Sequence, residues 1–242
     1  MNRYSSLFTL MVLVWGPLPW TARSSEPEPL PAVETVLQWV LARAGQESEP
    51  DREFNQAYRY THTRVTEQRD GNGGLKKREE KTSIRHPGLE VGPTNSSTRG
   101  RAYEKRDFPP SEELVKRFDF TLSGREVVNG RTALVLDFKP ANSQPAAQNL
   151  QERFINRIAG QVWVDETDHV LAKAKLRLTE KVNVFGGLVG NVTRLEIAFD
   201  RERTVEGFWF TRRSNWHLAG RELFSQRTID FQEHKTDVQK VE

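Results

Sequence analysis

Cysteine is absent from the 242 residues. No disulfide can staple the fold, and no thiolate can serve as nucleophile or metal ligand. Long apolar runs are also missing beyond the first twenty residues, and overall hydropathy is strongly negative, which excludes a polytopic membrane protein. The five histidines, His62, His86, His169, His217 and His234, never fall at i, i+4 and never sit in a Glu-x-x-His frame, so no zinc motif is present. There is no Gly-x-Ser-x-Gly elbow, no Gly-x-Gly-x-x-Gly and no phosphate loop. No strong excess of one charge exists either: 36 basic residues face 33 acidic ones, alternating in sign along the chain, so nucleic acid is not an expected partner.

What is present begins with a leader. Arg3 precedes the apolar stretch Leu7–Val14, which Trp15–Trp20 extends, and Ala22, Arg23 and Ser24 put small residues at a cleavage position. Gly16, Pro17 and Pro19 break the run, which is short for a membrane span. The expected division is a signal peptide at 1–24, a linker at 25–30, a single β domain at 31–235 and a polar tail at 236–242. Arg3 and Arg23 would leave with the leader, taking two of the three net positive charges. Export to a periplasm or cell envelope follows as the expected localisation, with a soluble protein after cleavage.

One helix is clear. Pro31 opens it, Val33, Val36, Leu37, Val40, Leu41 and Ala44 form one stripe, and Gly45 is expected to close it. From Phe54 the period changes to two, up to the turn Asp70-Gly71-Asn72-Gly73-Gly74, and the highly charged segment Leu75–Arg85 runs back as an exposed ribbon near a sheet edge. Pro87–Arg101 reads as a loop. Phe118, Phe120 and Leu122 alternate with polar residues, Asn129-Gly130 marks a two-residue hairpin turn, and Leu134, Leu136 and Phe138 return. Leu150, Phe154 and Ile158 suggest a short helix over 150–159 ended by Gly160. Strands follow at 161–165, 170–179, 192–203, 208–218 and 222–232, with a turn expected at Ala219-Gly220. Gly186–Gly190 connects two strands, and its apolar neighbours Val184, Phe185, Leu188 and Val189 could form a contact tip. Asp165, Glu166 and Asp168 could hold calcium weakly, but three acids in a turn more often face solvent.

Tight turns impose antiparallel pairing. The sequence therefore predicts a mainly β (α+β) fold: a curved antiparallel sheet or unclosed barrel with a helical lid. Large apolar side chains of matched parity mark one sheet face. With the helix stripe they give the candidate ligand-binding set: Val36, Leu37, Val40, Phe118, Phe120, Leu136, Phe138, Leu176, Leu178, Leu195, Ile197, Phe199, Phe210, Trp216 and Leu218. Either this face closes into a plain core, or it leaves a cavity that lipid chains fill. No catalytic residue, metal ligand or cofactor is expected.

The stretches FDFTLSGREVVNGRTALVLDF (118–138), RIAGQVWVDETDHVLAKAKLRL (157–178) and 199–231 resemble the outer-membrane lipoprotein-sorting group of the LolA/LolB-like superfamily. The recurring features are a Gly-Arg-x-x-x-x-Asn-Gly hairpin, a Gly-x-Val-Trp-Val-Asp strand with an acidic turn and a late Gly-x-Trp strand. The resemblance implies a LolA-like unclosed barrel whose apolar cavity, under a helical lid, accepts lipid or lipoprotein acyl chains. An envelope partner protein is the second expected partner. The alternative is a non-catalytic envelope structural or interaction module with a filled core.

Overall fold

The computed structural model describes residues 29–46, 51–88, 111–184 and 190–241. The leader at 1–24, most of the linker at 25–30, the greater part of the Pro87–Arg101 loop and the Phe185–Val189 tip lie outside the described residues.

Among the described residues ten strands form one antiparallel sheet in the order β2-β1-β10-β9-β8-β6-β5-β4-β3, with the short β7 paired to β8. They are β1 Tyr58–Asp70, β2 Leu75–Arg85, β3 Phe118–Val128, β4 Arg131–Pro140, β5 Ile158–Asp165, β6 Leu171–Leu178, β7 Val182–Val184, β8 Gly190–Arg203, β9 Trp209–Glu222 and β10 Ser225–Lys240. β2 and β3 are the two edges, so the sheet is unclosed. Among the described residues four helices accompany it: α1 Val33–Gln46, α2 Arg52–Ala57, α3 Glu112–Val115 and α4 Leu150–Ile155.

The turns follow from their residues. Asn129 and Gly130 both take positive φ, at 50° and 77°, as a primed two-residue hairpin requires. The Asp70 carboxylate accepts from the Asn72 and Gly74 amides and so closes the β1–β2 turn. The charged β2 is exposed along almost its whole length, as an edge strand that charge protects from pairing with other chains.

The helix stripe of α1 buries Val36 completely against Leu134, Leu136 and Val164, with Val33, Leu37, Trp39 and Val40 packed around them. Register places those sheet residues on one face. Leu136 pairs with Leu122 and Val162, and Leu134 with Val164. The same face receives α4, whose Phe154 packs with Leu195, Leu178, Ile197 and Leu218, and α2, whose Phe54 stacks on Tyr58 and Phe210. The helices thus cover one face only.

Several sequence boundaries move. α1 runs past Gly45 to Gln46. Phe54 is not in a strand but in α2, where its ring anchors a six-residue helix that would be marginal by itself. α4 ends at Ile155 rather than 159, and Ile158 begins β5; its helical spacing from Phe154 was coincidental. Gly160 is a strand residue needed for close approach, since a Cβ there would lie 2.1 Å from the Lys175 carbonyl oxygen. Ala219-Gly220 is no turn. β9 continues through it to Glu222, because Gly220 lies so close to Asn191 that no side chain fits. β10 runs on to Lys240, so residues 236–240, expected as a polar tail, form a strand. Tyr58 pairs with Lys240, and Val238 packs against the Phe54 cluster.

Candidate functional site

Cross-strand register converts the alternation of single strands into a continuous apolar row. Phe120 faces Phe138, Phe138 faces Gly160, Gly160 faces Leu176, Leu176 faces Ile197, Ile197 faces Trp216 and Trp216 faces Phe231. Residues two positions away along each strand point to the same side. Phe118, Leu136, Leu178, Leu195, Phe199 and Leu218 therefore join this face. Phe210, six positions from Trp216 on β9, packs under Phe54 on this face.

The structure divides the candidate residues by burial. Val36 and Leu136 are closed inside the α1 cluster, beside Leu37, Val40 and Phe120. Leu195 is buried under α4, with Leu178, Ile197 and Leu218 alongside. Phe210 is buried beneath Phe54. Phe118, Phe120 and Phe138 make an aromatic trio with centroid separations of 5.0–6.1 Å. Leu176, Phe199 and Trp216 lie between the helix-covered clusters and are only half-buried. Ile229 and Phe231 extend the same half-buried surface onto β10. The sequence reading overlooked these two, although their alternation with Asp230 and Gln232 marked them.

The row ends on β1 and β10 in a polar cluster. The Arg64 guanidinium lies 5.5 Å from the Phe231 ring centroid and 3.8 Å from Glu233. His62 Nε2 and Glu233 Oε1 are 2.7 Å apart. Burial pushes the Glu233 carboxyl up, but the His62 hydrogen bond and the charges of His62, Arg64 and Lys235 outweigh it, so its pKa is lowered. The buried Lys235 ammonium lies 5.1–6.0 Å from the ring centroids of Phe54, Tyr60 and Phe210 and donates to Asp51 at 2.9 Å. Asp51 holds a positive φ of 65° and also accepts from the Thr211 amide. Tyr60, buried here, is pushed up to about 12, chiefly by burial.

The opposite face is polar along its middle, but buried clusters of Ala133, Val135 and Trp163 and of Val170, Ala172 and Trp209 lie on it too. An open groove of about 810 Å³ crosses it, lined by Asp119, Asp137, Gln161, Lys175, Glu196 and His217 among others. Phe138, Leu176, Ile197 and Trp216 border this groove through their backbone, since their side chains point the other way. His217 Nδ1 and Asp230 Oδ1 pair across β9 and β10 at 2.6 Å. Trp163 is buried under Lys173, whose ammonium is 4.5 Å from the ring centroid, and donates to Glu126.

The acidic turn after β5 is not a solvated loop. Asp165 is 1% exposed and takes a two-pronged contact from Arg131 at 2.6 and 2.8 Å, as well as the Thr167 and Asp168 amides. Glu166 pairs with Arg125 and Asp168 with Arg203. Arginines thus occupy the carboxylates that a calcium ion would need. Among the described residues no group of three or more His, Asp or Glu side chains could hold a metal, and no helix is long and apolar enough to cross a membrane.

No protein-family model matches the sequence, and no curated protein matches it. Similar solved structures include a DUF1329 family protein from Desulfovibrio piger, at 14% identity over 86% of this chain and 92% of that one, with a TM-score of 0.31. A putative outer membrane lipoprotein-sorting protein domain from Vibrio parahaemolyticus matches at 10% identity over 86% and 92%, with a TM-score of 0.33. A LolA superfamily protein from Nitrosomonas europaea matches at 11% identity over 85% and 94%, with a TM-score of 0.31.

Proposed function

We propose that this chain is an exported cell-envelope binding protein, not an enzyme, that holds a lipid or lipoprotein acyl chain against the helix-bearing sheet face. The observation that carries the reading is the half-buried row Phe138–Leu176–Ile197–Trp216–Phe231, which runs along the helix-bearing face and touches the α4 cluster at Ile197. A hydrocarbon tail laid along it would displace water from several large side chains at once. Each buried CH₂ contributes about 0.8 kcal/mol, so a tail of eight to ten carbons would be held usefully. The row has one polar end, at Arg64, His62 and Glu233. A ligand with an anionic head and an apolar tail fits that polarity, with the head against Arg64.

Native mass spectrometry of the purified chain tests the reading directly. Co-purified lipid is expected, released on denaturation. In a displacement titration with a fluorescent fatty acid, the double substitution Leu176→Ser and Trp216→Ser should weaken binding at least tenfold. Protein that carries no lipid and leaves the fluorescent fatty acid unbound would sink the proposal and leave a non-catalytic interaction module in its place.

A further inference from the structure

Three exposed hydrophobic residues, Leu75, Leu223 and Phe224, meet at two neighbouring turns. The β9–β10 hairpin turns through Leu223 and Phe224, and Phe224 is 100% exposed. Leu223 is 56% exposed and takes a positive φ of 54°, a conformation that favours glycine or asparagine over leucine. The Phe224 side chain packs on nothing in the turn. The β1–β2 turn lies directly beside it. Asp70 pairs with Arg227, and a Cβ on Gly71 would touch the Gln226 side chain at 3.0 Å. That second turn adds Leu75, 51% exposed. The same two turns carry Arg69, Lys76, Lys77, Arg221 and Arg227, of which Lys76 pairs with Asp70 at 3.1 Å and Arg227 with Glu222 at 2.9 Å. Glu67 and Glu79 pair with Arg69 and Lys77 one step further back.

We infer that these paired hairpin tips form a docking site for an anionic lipid surface. Apolar residues at a projecting tip, flanked by cations in slight excess over carboxylates, match a bilayer, where the side chains enter the headgroup region and exposed cations exchange their carboxylate partners for lipid phosphates. Two or three side chains on a convex tip bury far less area than a specific protein interface needs, so a protein partner fits this shape poorly. The site lies at the far end of β9 from the Val205 turn and does not depend on what the apolar sheet face holds.

The absence of cysteine makes the test clean, because one introduced thiol gives one label. The full chain carrying Phe224→Cys is labelled with an environment-sensitive nitrobenzoxadiazole dye and mixed with phosphatidylglycerol-containing vesicles. Emission should rise severalfold and shift to the blue, should fall again at high salt, and should stay unchanged with pure phosphatidylcholine. The same dye at Val205→Cys, also at a 98% exposed turn residue, should not respond. In vesicle sedimentation, Leu223→Ser with Phe224→Ser should lower the bound fraction severalfold. The inference falls if the dye at 224 is silent, if the two labels respond alike, or if the double variant sediments like the native chain, as it would were the leader or a protein contact responsible.

Discussion

At the scale of single residues, the clearest commitment is Asp165. Its carboxylate is buried and satisfied by Arg131 and two backbone amides. Burial pushes its pKa up, but the Arg131 hydrogen bonds and charge and the amides hold it below the usual carboxylate range overall. A lowered folded-state value means the stabilisation is complete above the unfolded carboxylate range and is lost as pH falls through the folded-state value. Asp165→Asn should therefore cost about 3 kcal/mol at neutral pH, with Arg131 left short of a partner. In urea titrations repeated at decreasing pH, the gap between native and variant should narrow below the carboxylate range; a constant gap would contradict the ion-pair account. Gly160 makes a second, steric prediction. A methyl group there meets the Lys175 carbonyl at 2.1 Å, so β5 and β6 must part. Gly160→Ala should cost about 2 kcal/mol by thermal or chemical denaturation, an overpacking effect.

At the scale of elements, what was legible tracks periodicity. α1 was legible because its stripe spans three turns, and β2, β3 and β4 because a turn signal marks at least one end of each. α2 was not. Six residues carry no period, and Phe54 reads equally well as the start of a strand until Tyr58, Tyr60 and Phe210 are seen around it. The β9–β10 turn was misplaced because Ala219-Gly220 looks like a turn, while Gly220 serves a close strand approach that no local signal reveals. The apolar face was legible, since parity survives along each strand. Which of its residues the helices close off was not, because that depends on where α2 and α4 land. Phe54→Ala should show how far α2 depends on its ring. A loss of about 3 kcal/mol is expected, with hydrogen-exchange protection falling over Tyr58 and Tyr60 while β4 and β5 keep theirs.

At the scale of the whole molecule, an open sheet must keep its edges from recruiting neighbours. β2 does so with Lys76, Lys77, Arg78, Glu79, Glu80 and Lys81, exposed in sequence. Replacing Lys77, Glu79 and Lys81 together by valine should leave the monomer folded but make it associate with rising concentration, visible in sedimentation velocity. Unchanged monomer at all concentrations would show that the charge is not what guards this edge.

The pairing of Tyr58 with Lys240 has a kinetic consequence. Among the described strands, β1 meets the rest of the sheet beyond β2 through β10, the last of them in chain order. In a chain delivered N-terminus first, β1 and β2 wait as a lone hairpin until residue 240 arrives, and a two-stranded hairpin is marginal in water. Closing so long a loop makes that step slow. The β3–β9 part of the sheet, with the clusters under α1 and α4, can form before that step, so docking of the β1–β2 hairpin is the late event.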